Sequence, residues 1–149
     1  MKTPRALFVL ALVCLSLPAF ARGKHESCTP TVRDGWIRLV PGGMPMHAGF
    51  GRIENPCAVA IAISGAGSAD YGDVSLHETR VVGGISKMRA LPSMPVPARG
   101  NVEMKPGGIH LMLMEPKRPL RPGDHVTLRF TTGKNASFNG DFVVRAMGE

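Results

Sequence analysis

Glycine and proline interrupt this chain so often that few stretches between them could hold a long helix. The 149 residues contain 18 glycines and 13 prolines. Many sit in clusters at Pro41-Gly42-Gly43, Asn55-Pro56, Gly83-Gly84, residues 92–97, Pro106-Gly107-Gly108 and Pro122-Gly123-Asp124. Both residues break regular elements, and such pairs mark turns. Between them lie short segments in which apolar and polar side chains alternate: 35–40, 48–54, 59–64, 74–79, 85–90, 101–105, 110–115, 125–130 and 138–145. A period of two belongs to a strand with one buried face. Many short strands at near-regular spacing predict an all-β sandwich or barrel. No internal repeat, low-complexity tract or long linker divides it, so a single domain is expected.

The first residues read differently. Lys2 and Arg5 precede an apolar run over 6–17, and Ala19-Phe20-Ala21 supplies small residues at the −3 and −1 positions of a cleavage site. That is the layout of a secretory signal peptide. It predicts a signal over 1–21, a mature chain from Arg22, an N-terminal segment over 22–34 and a folded domain over 35–149. The run is short of the roughly 20 apolar residues a span needs, and no later segment approaches that length, so no membrane span is expected in the mature chain. A lipoprotein reading would use Cys14, but Val13 before it is a poor lipobox residue. A periplasmic location follows as the expectation.

Loss of Lys2 and Arg5 lowers the 18 basic residues to 16, against 11 acidic ones. The bases are scattered, and one Trp and one Tyr offer no interleaving of aromatic and basic side chains, which argues against a nucleic-acid surface. Cleavage also removes Cys14 and leaves Cys28 and Cys57. In an oxidising compartment, two cysteines with one available connectivity predict a disulfide. The alternative is two free thiols.

The segment "GGIHLMLMEPKRPLRPGD" carries the chemistry. On a strand, His110, Met112 and Met114 point one way while Leu111 and Leu113 point the other. Two further soft donors lie upstream, His77 in "DVSLHET" and Met88 in "GGISKMRA". A two-residue turn at Gly83-Gly84 places Val82 opposite Ile85 and position 79 opposite Met88. His77 then lies diagonal to Met88 on one face, within reach of long side chains; a turn shifted to 82–83 would set His77 directly opposite Met88 on that same face, and a three-residue loop would not. Two imidazoles and two thioethers form a donor set that selects copper(I), because soft sulfur favours it and hard ions prefer oxygen. Methionine also survives where a thiolate would oxidise. A blue-copper electron-transfer centre needs a cysteine thiolate with two histidines, and neither Cys28 nor Cys57 lies near this set. A carrier of copper is therefore expected, not a redox centre or an enzyme.

Taken singly, a methionine on a strand is usually core and a histidine usually a surface or hydrogen-bonded group. Met94, Met104, Met114 and Met147 are accordingly read as packing residues, and His25 and His125 as surface residues. Met44, Met46 and His47 in "PGGMPMHAG" form a second small cluster that could present an auxiliary copper contact.

The spacing His77-x10-Met88-x21-His110-x-Met112 resembles the H-x10-M-x21-H-x-M pattern of the periplasmic copper chaperones called PCu(A)C, in every residue type and interval. "GWIRLVPGGMPMHAGFGRIEN" is similar to that family's opening, through Trp36, Arg38, Pro41, Ala48, Phe50 and Asn55, and "VEMKPGGIHLMLMEPKRPLRPGDHVTLRF" to its C-terminal block. The resemblance runs from about Trp36 to Arg145. It implies a cupredoxin-like β-barrel or sandwich, with copper(I) held near the surface by His77, Met88, His110 and Met112. It also implies delivery to the binuclear copper centre of cytochrome c oxidase, directly to the copper subunit or alongside a thioredoxin-like Sco protein. A monomer is expected. Some relatives carry a His- and Met-rich tail for copper(II), and no such store is expected before Glu149.

Three rivals compete with this reading. A copper-sequestering or resistance protein would use the same site. A copper monooxygenase could employ an N-terminal His25, although Lys24 is a poor −1 residue for signal peptidase. An adhesive β-sandwich without metal would require four matched ligands to be coincidence.

Overall fold

The computed structural model describes residues 28–133 and 136–148, and these form ten strands and no helix. The expected signal peptide over 1–21, its expected cleavage site and His25 lie outside the described residues. The strands are β1 (Thr31–Arg38), β2 (Met46–Asn55), β3 (Ile61–Gly67), β4 (Tyr71–Val82), β5 (Ile85–Ala90), β6 (Met94–Val96), β7 (Gly100–Met104), β8 (Ile109–Pro116), β9 (His125–Thr132) and β10 (Ala136–Arg145). They join in one sheet of order β5-β4-β8-β2-β1-β10-β9-β3-β6, with β7 paired to β2 off this path. β1 runs parallel to β10, and the other pairings are antiparallel. The all-β single domain predicted by the turn residues is the fold that forms.

The sheet wraps around one core. Ile37, Ile63, Leu111, Leu113, Leu128, Phe130 and Phe142 have no exposed surface, and strands from both ends of the sheet contribute to the same cluster. Each such side chain contributes about 1.5–3 kcal/mol by leaving water. Met94 and Met104 belong to this cluster, as packing residues.

Two departures from the expected pattern matter. β6 lies in the proline-rich stretch 92–97, where the sequence predicts no strand. It pairs only with β3 and sits at the end of the sheet, where a proline need not donate to a second neighbour. The second departure is in β1, which begins at Thr31, ahead of the expected start at residue 35. Its register against β2 shifts by one residue between Arg33 and Trp36, and Asp34 at the shift has φ 51°. This bulge inserts one extra residue and re-aims the rest of the strand. Val32 and Ile37 face the core, while Trp36 and Arg38 turn to the outer face beside Phe50 and Ala48.

The predicted disulfide is present. Cys28 and Cys57 are bonded across a separation of 29 residues, with Cα atoms 5.4 Å apart. It ties the start of the described chain to the turn after β2. Asn55 organises that turn from a buried position. Its Nδ2 donates to the carbonyls of Val59 (2.9 Å) and Pro97 (3.0 Å), and its Oδ1 accepts from the Cys57 N–H (3.1 Å).

Candidate metal centre

Gly83 and Gly84 have φ values of 60° and 79°, the two positive values that a type I′ hairpin turn requires and that glycine adopts without strain. The turn fixes the register expected from it: Val82 faces Ile85, Thr79 faces Met88 and His77 faces Ala90. On the other side of β4, His77 stands directly opposite His110, and Ser75 opposite Met112. Cross-strand partners share a face. His77, Met88, His110 and Met112 therefore come together on the outer face of three adjacent strands, β5, β4 and β8.

The two rings lie 6.0 Å apart between centroids and are tilted by 36°. An open cleft of about 230 Å³ lies over this face, bounded by Arg38, Met46, Phe50, Met88, His110 and Met112 among others. His110 is buried, whereas Met88 on the edge strand is 52 % exposed. The floor is aromatic: Phe50 packs on Trp36 at 4.6 Å, Arg38 lies over the Phe50 ring and Arg145 over the Trp36 ring, each at 5.2 Å.

Hydrogen bonding leaves each imidazole one free nitrogen. His110 Nδ1 is 3.0 Å from the Gly108 carbonyl oxygen. A carbonyl only accepts, so Nδ1 carries the proton and Nε2 keeps its lone pair. His77 Nε2 is 3.2 Å from the Ser75 hydroxyl, while its Nδ1 is buried and has no hydrogen-bond partner among the described residues. Buried polar atoms without partners are rare and call for a cause. With Nε2–H donating to Ser75, the Nδ1 lone pair is one that a metal ion would satisfy. Burial first, and then the neighbouring His110, lower the pKa of His77 below the ordinary imidazole value, with Asp73 acting the other way. The ring is thus held in the neutral form a metal ligand needs.

No three His, Cys, Asp or Glu side chains among the described residues are grouped to hold a metal. The thioethers of Met88 and Met112 are the further donors on this face, and a set of imidazole and thioether donors favours copper(I) over harder ions.

The structure treats the second cluster unevenly. Met46 lines the cleft and Met44 is exposed. His47 also lines the cleft, and pairs across the strands with the core residue Leu113. It is buried, with Nδ1 2.9 Å from the Tyr71 hydroxyl, and burial lowers its pKa. Met114, read above as a packing residue, is not in the core: it shares the outer face with Met112 and stands opposite Met46 and Asp73. The alternation in "IHLMLM" already contained that answer. Arg38 and Phe50 carry no local signal beyond the family resemblance, and β1's bulge is what brings Arg38 to the cleft. His125 is exposed, as expected.

Residues 30–144 match the family described as "Putative lipoprotein LpqE-like". A curated relative from Leifsonia xyli subsp. xyli, named "Putative lipoprotein Lxx21020", is 34 % identical over 125 residues, covering 80 % of this chain and 74 % of its own. Among solved structures, the copper(I) form of DR1885 from Deinococcus radiodurans superposes with a TM-score of 0.65 at 26 % identity, over 87 % of each chain. The copper-bound PCuAC domain from PmoF2 superposes with a TM-score of 0.64 at 20 % identity, over 78 % of this chain and 92 % of the domain. The fold is that of PCuAC domains, and the likeness read from the ligand spacing is borne out.

Proposed function

The chain belongs to the LpqE-like family, and from that premise we propose that it is an extracytoplasmic copper(I) metallochaperone with His77, Met88, His110 and Met112 as ligands. The observation that carries this reading is the convergence of two imidazoles and two thioethers on one face, with His77 Nδ1 buried and unpartnered. His110 Nε2 and His77 Nδ1 would anchor the ion, and Met88 and Met112 would complete its shell.

Arg38 supports the monovalent ion. A fixed guanidinium in the cleft repels a divalent cation about twice as strongly as a monovalent one at the same distance. Transfer needs ligands that a recipient can replace singly. Weak thioether bonds supply them, and Met88, half exposed at the sheet edge, is placed to leave early. The chain carries its ion and does not catalyse. The recipient is the binuclear copper centre of cytochrome c oxidase, reached directly in the copper subunit or through a Sco-type partner, and the carrier acts as a monomer. The sequestering alternative separates by phenotype: a chaperone mutant fails on scarce copper, a resistance mutant on excess.

The relatives' lipoprotein names favour export with attachment at the outer side of a membrane. The sequence offers Cys14 for that, and the signal-peptidase site before Arg22 competes with it. Intact mass of the exported chain decides between a start at Arg22 and a lipidated Cys14.

The test of the site is anaerobic copper(I) binding by the mature domain against a chromophoric chelator. One tight ion, weakened by His110→Ala and by Met112→Ala, is expected. Binding that neither change affects would refute the assignment.

A further inference from the structure

We infer that Met46 and Met114 form a second, weaker subsite for a soft monovalent cation, continuous with the cleft over the first; it rests on the copper reading above. The two residues are direct cross-strand partners between β2 and β8. The Glu115 N–H donates to the Pro45 carbonyl at 2.9 Å, which makes 45 and 115 the hydrogen-bonded pair. In an antiparallel ladder the next pair is then non-hydrogen-bonded, the kind whose side chains lie closer. That pair is Met46 with Met114. Cβ atoms in such pairs stand about 4.5–5.5 Å apart, close enough for two flexible thioethers to hold one ion between their sulfurs.

Their surroundings fit a cation more than a packing role. Both are half-buried on the outer face, where an antiparallel strand ordinarily carries polar side chains. The core beneath is already filled by Leu111 and Leu113, which are fully buried. Asp73 stands opposite Met114 on β4, so a carboxylate borders the pair. Met112 shares the face two residues along β8, and Ala48 opposite it is small, so little bulk separates the pair from the first site. Met46 lines the cleft together with Met88, His110 and Met112. Arg38, which faces Ala48 on β1, adds a repulsive charge that weakens the second ion relative to an isolated thioether pair.

The test separates sulfur from shape. Leucine has nearly the volume of methionine and no donor atom, so Met46→Leu/Met114→Leu keeps the packing and removes the ligands. The mature chain with ¹³C-methyl methionine is titrated anaerobically with copper(I), and in parallel with silver(I) as a redox-inert probe. Two ions are expected, the second at least tenfold weaker. The Met88 and Met112 methyl signals should move with the first, and Met46 and Met114 with the second. The double leucine variant should lose the weak ion and keep the tight one, and His110→Ala should keep the weak one. A single equivalent in the wild type with Met46 and Met114 unmoved would overturn the subsite and leave the chaperone site standing. So would a second equivalent that survives in the double leucine variant. Absence of any tight ion would remove both readings together.

Discussion

Replacing both bridged cysteines, as Cys28→Ser/Cys57→Ser, should cost the apo protein about 3.6 kcal/mol. The bridge closes a loop of 29 residues, and the loss of loop entropy from the unfolded chain is roughly 12 cal/mol/K for that length, or about 3.6 kcal/mol at 25 °C. The native side should change little, because the two hydrogen bonds that Asn55 donates, the one it accepts from the Cys57 N–H, and the Arg99 N–H donated to the Cys57 carbonyl (2.9 Å) hold the turn without the sulfurs. For a domain of this size the loss corresponds to a fall in Tm of roughly 12 °C. Urea unfolding of the oxidised chain and the double serine variant measures it, with a larger m-value expected for the variant, whose unfolded chain is no longer cross-linked. Serine is preferred to chemical reduction, since two free thiolates would compete for copper(I). The cleft should not notice the change. Ala48, beside it, and Asn55, at the bridge, are seven residues apart on β2, roughly 23 Å at strand rise, so copper(I) affinity should stay within about twofold. A loss below about 1 kcal/mol with an unchanged m-value would refute the entropic account. A large loss of copper affinity would refute the separation of bridge and site.

Two further predictions concern the imidazoles. Ser75→Ala should weaken copper(I) binding about tenfold with little effect on Tm, as loss of a group that orients a metal-binding histidine does; unchanged affinity would contradict the assignment of Nδ1 as donor. In the apo protein, His77 should titrate below the ordinary imidazole value of 6.5, because burial and then His110 disfavour its charged form. The stability this linkage contributes is present above the unfolded value and is lost as pH falls through the lower folded one. NMR titration of the ring reads the midpoint directly. His110→Ala should raise it, and a wild-type midpoint at or above 6.5 would count against the argument.

How much of this could be read in the sequence depended on whether local chemistry decided the outcome. Gly83-Gly84 put His77 and Met88 on one face in either register of a two-residue turn, and the structure selects the turn at 83–84 that pairs Thr79 with Met88. Strand alternation placed His110 and Met112 together, and the same alternation placed Met114 outward, against its reading as a packing residue. Met46 and His47 both line the cleft, although their backbone positions pair with different residues, Met114 and Leu113. The juxtaposition of His77 with His110 could not be derived from spacing, because 32 residues lie between them and only the β4–β8 pairing, a long-range choice of the sheet, sets their register. Two features left no local signal. The bulge at Asp34 shifts Trp36 and Arg38 to the outer face, and β6 forms among prolines where it pairs with β3 at the end of the sheet. Both are settled by the closing of the sheet.

The four proposed ligands do not rest on equally secure ground. β4 and β8 are each flanked on both sides, whereas β5 ends the sheet and all six of its residues are exposed. An end strand frays with a small opening free energy, while strands inside a sheet open only with the whole fold. Three of the proposed ligands therefore share the lifetime of the native state, and Met88 has the much shorter lifetime of a local fluctuation. Release of the ion would then begin as a mechanical event in the backbone, the hairpin lifting away with its sulfur, at a rate set jointly by the breathing of β5 and the weakness of the one thioether bond that this motion breaks.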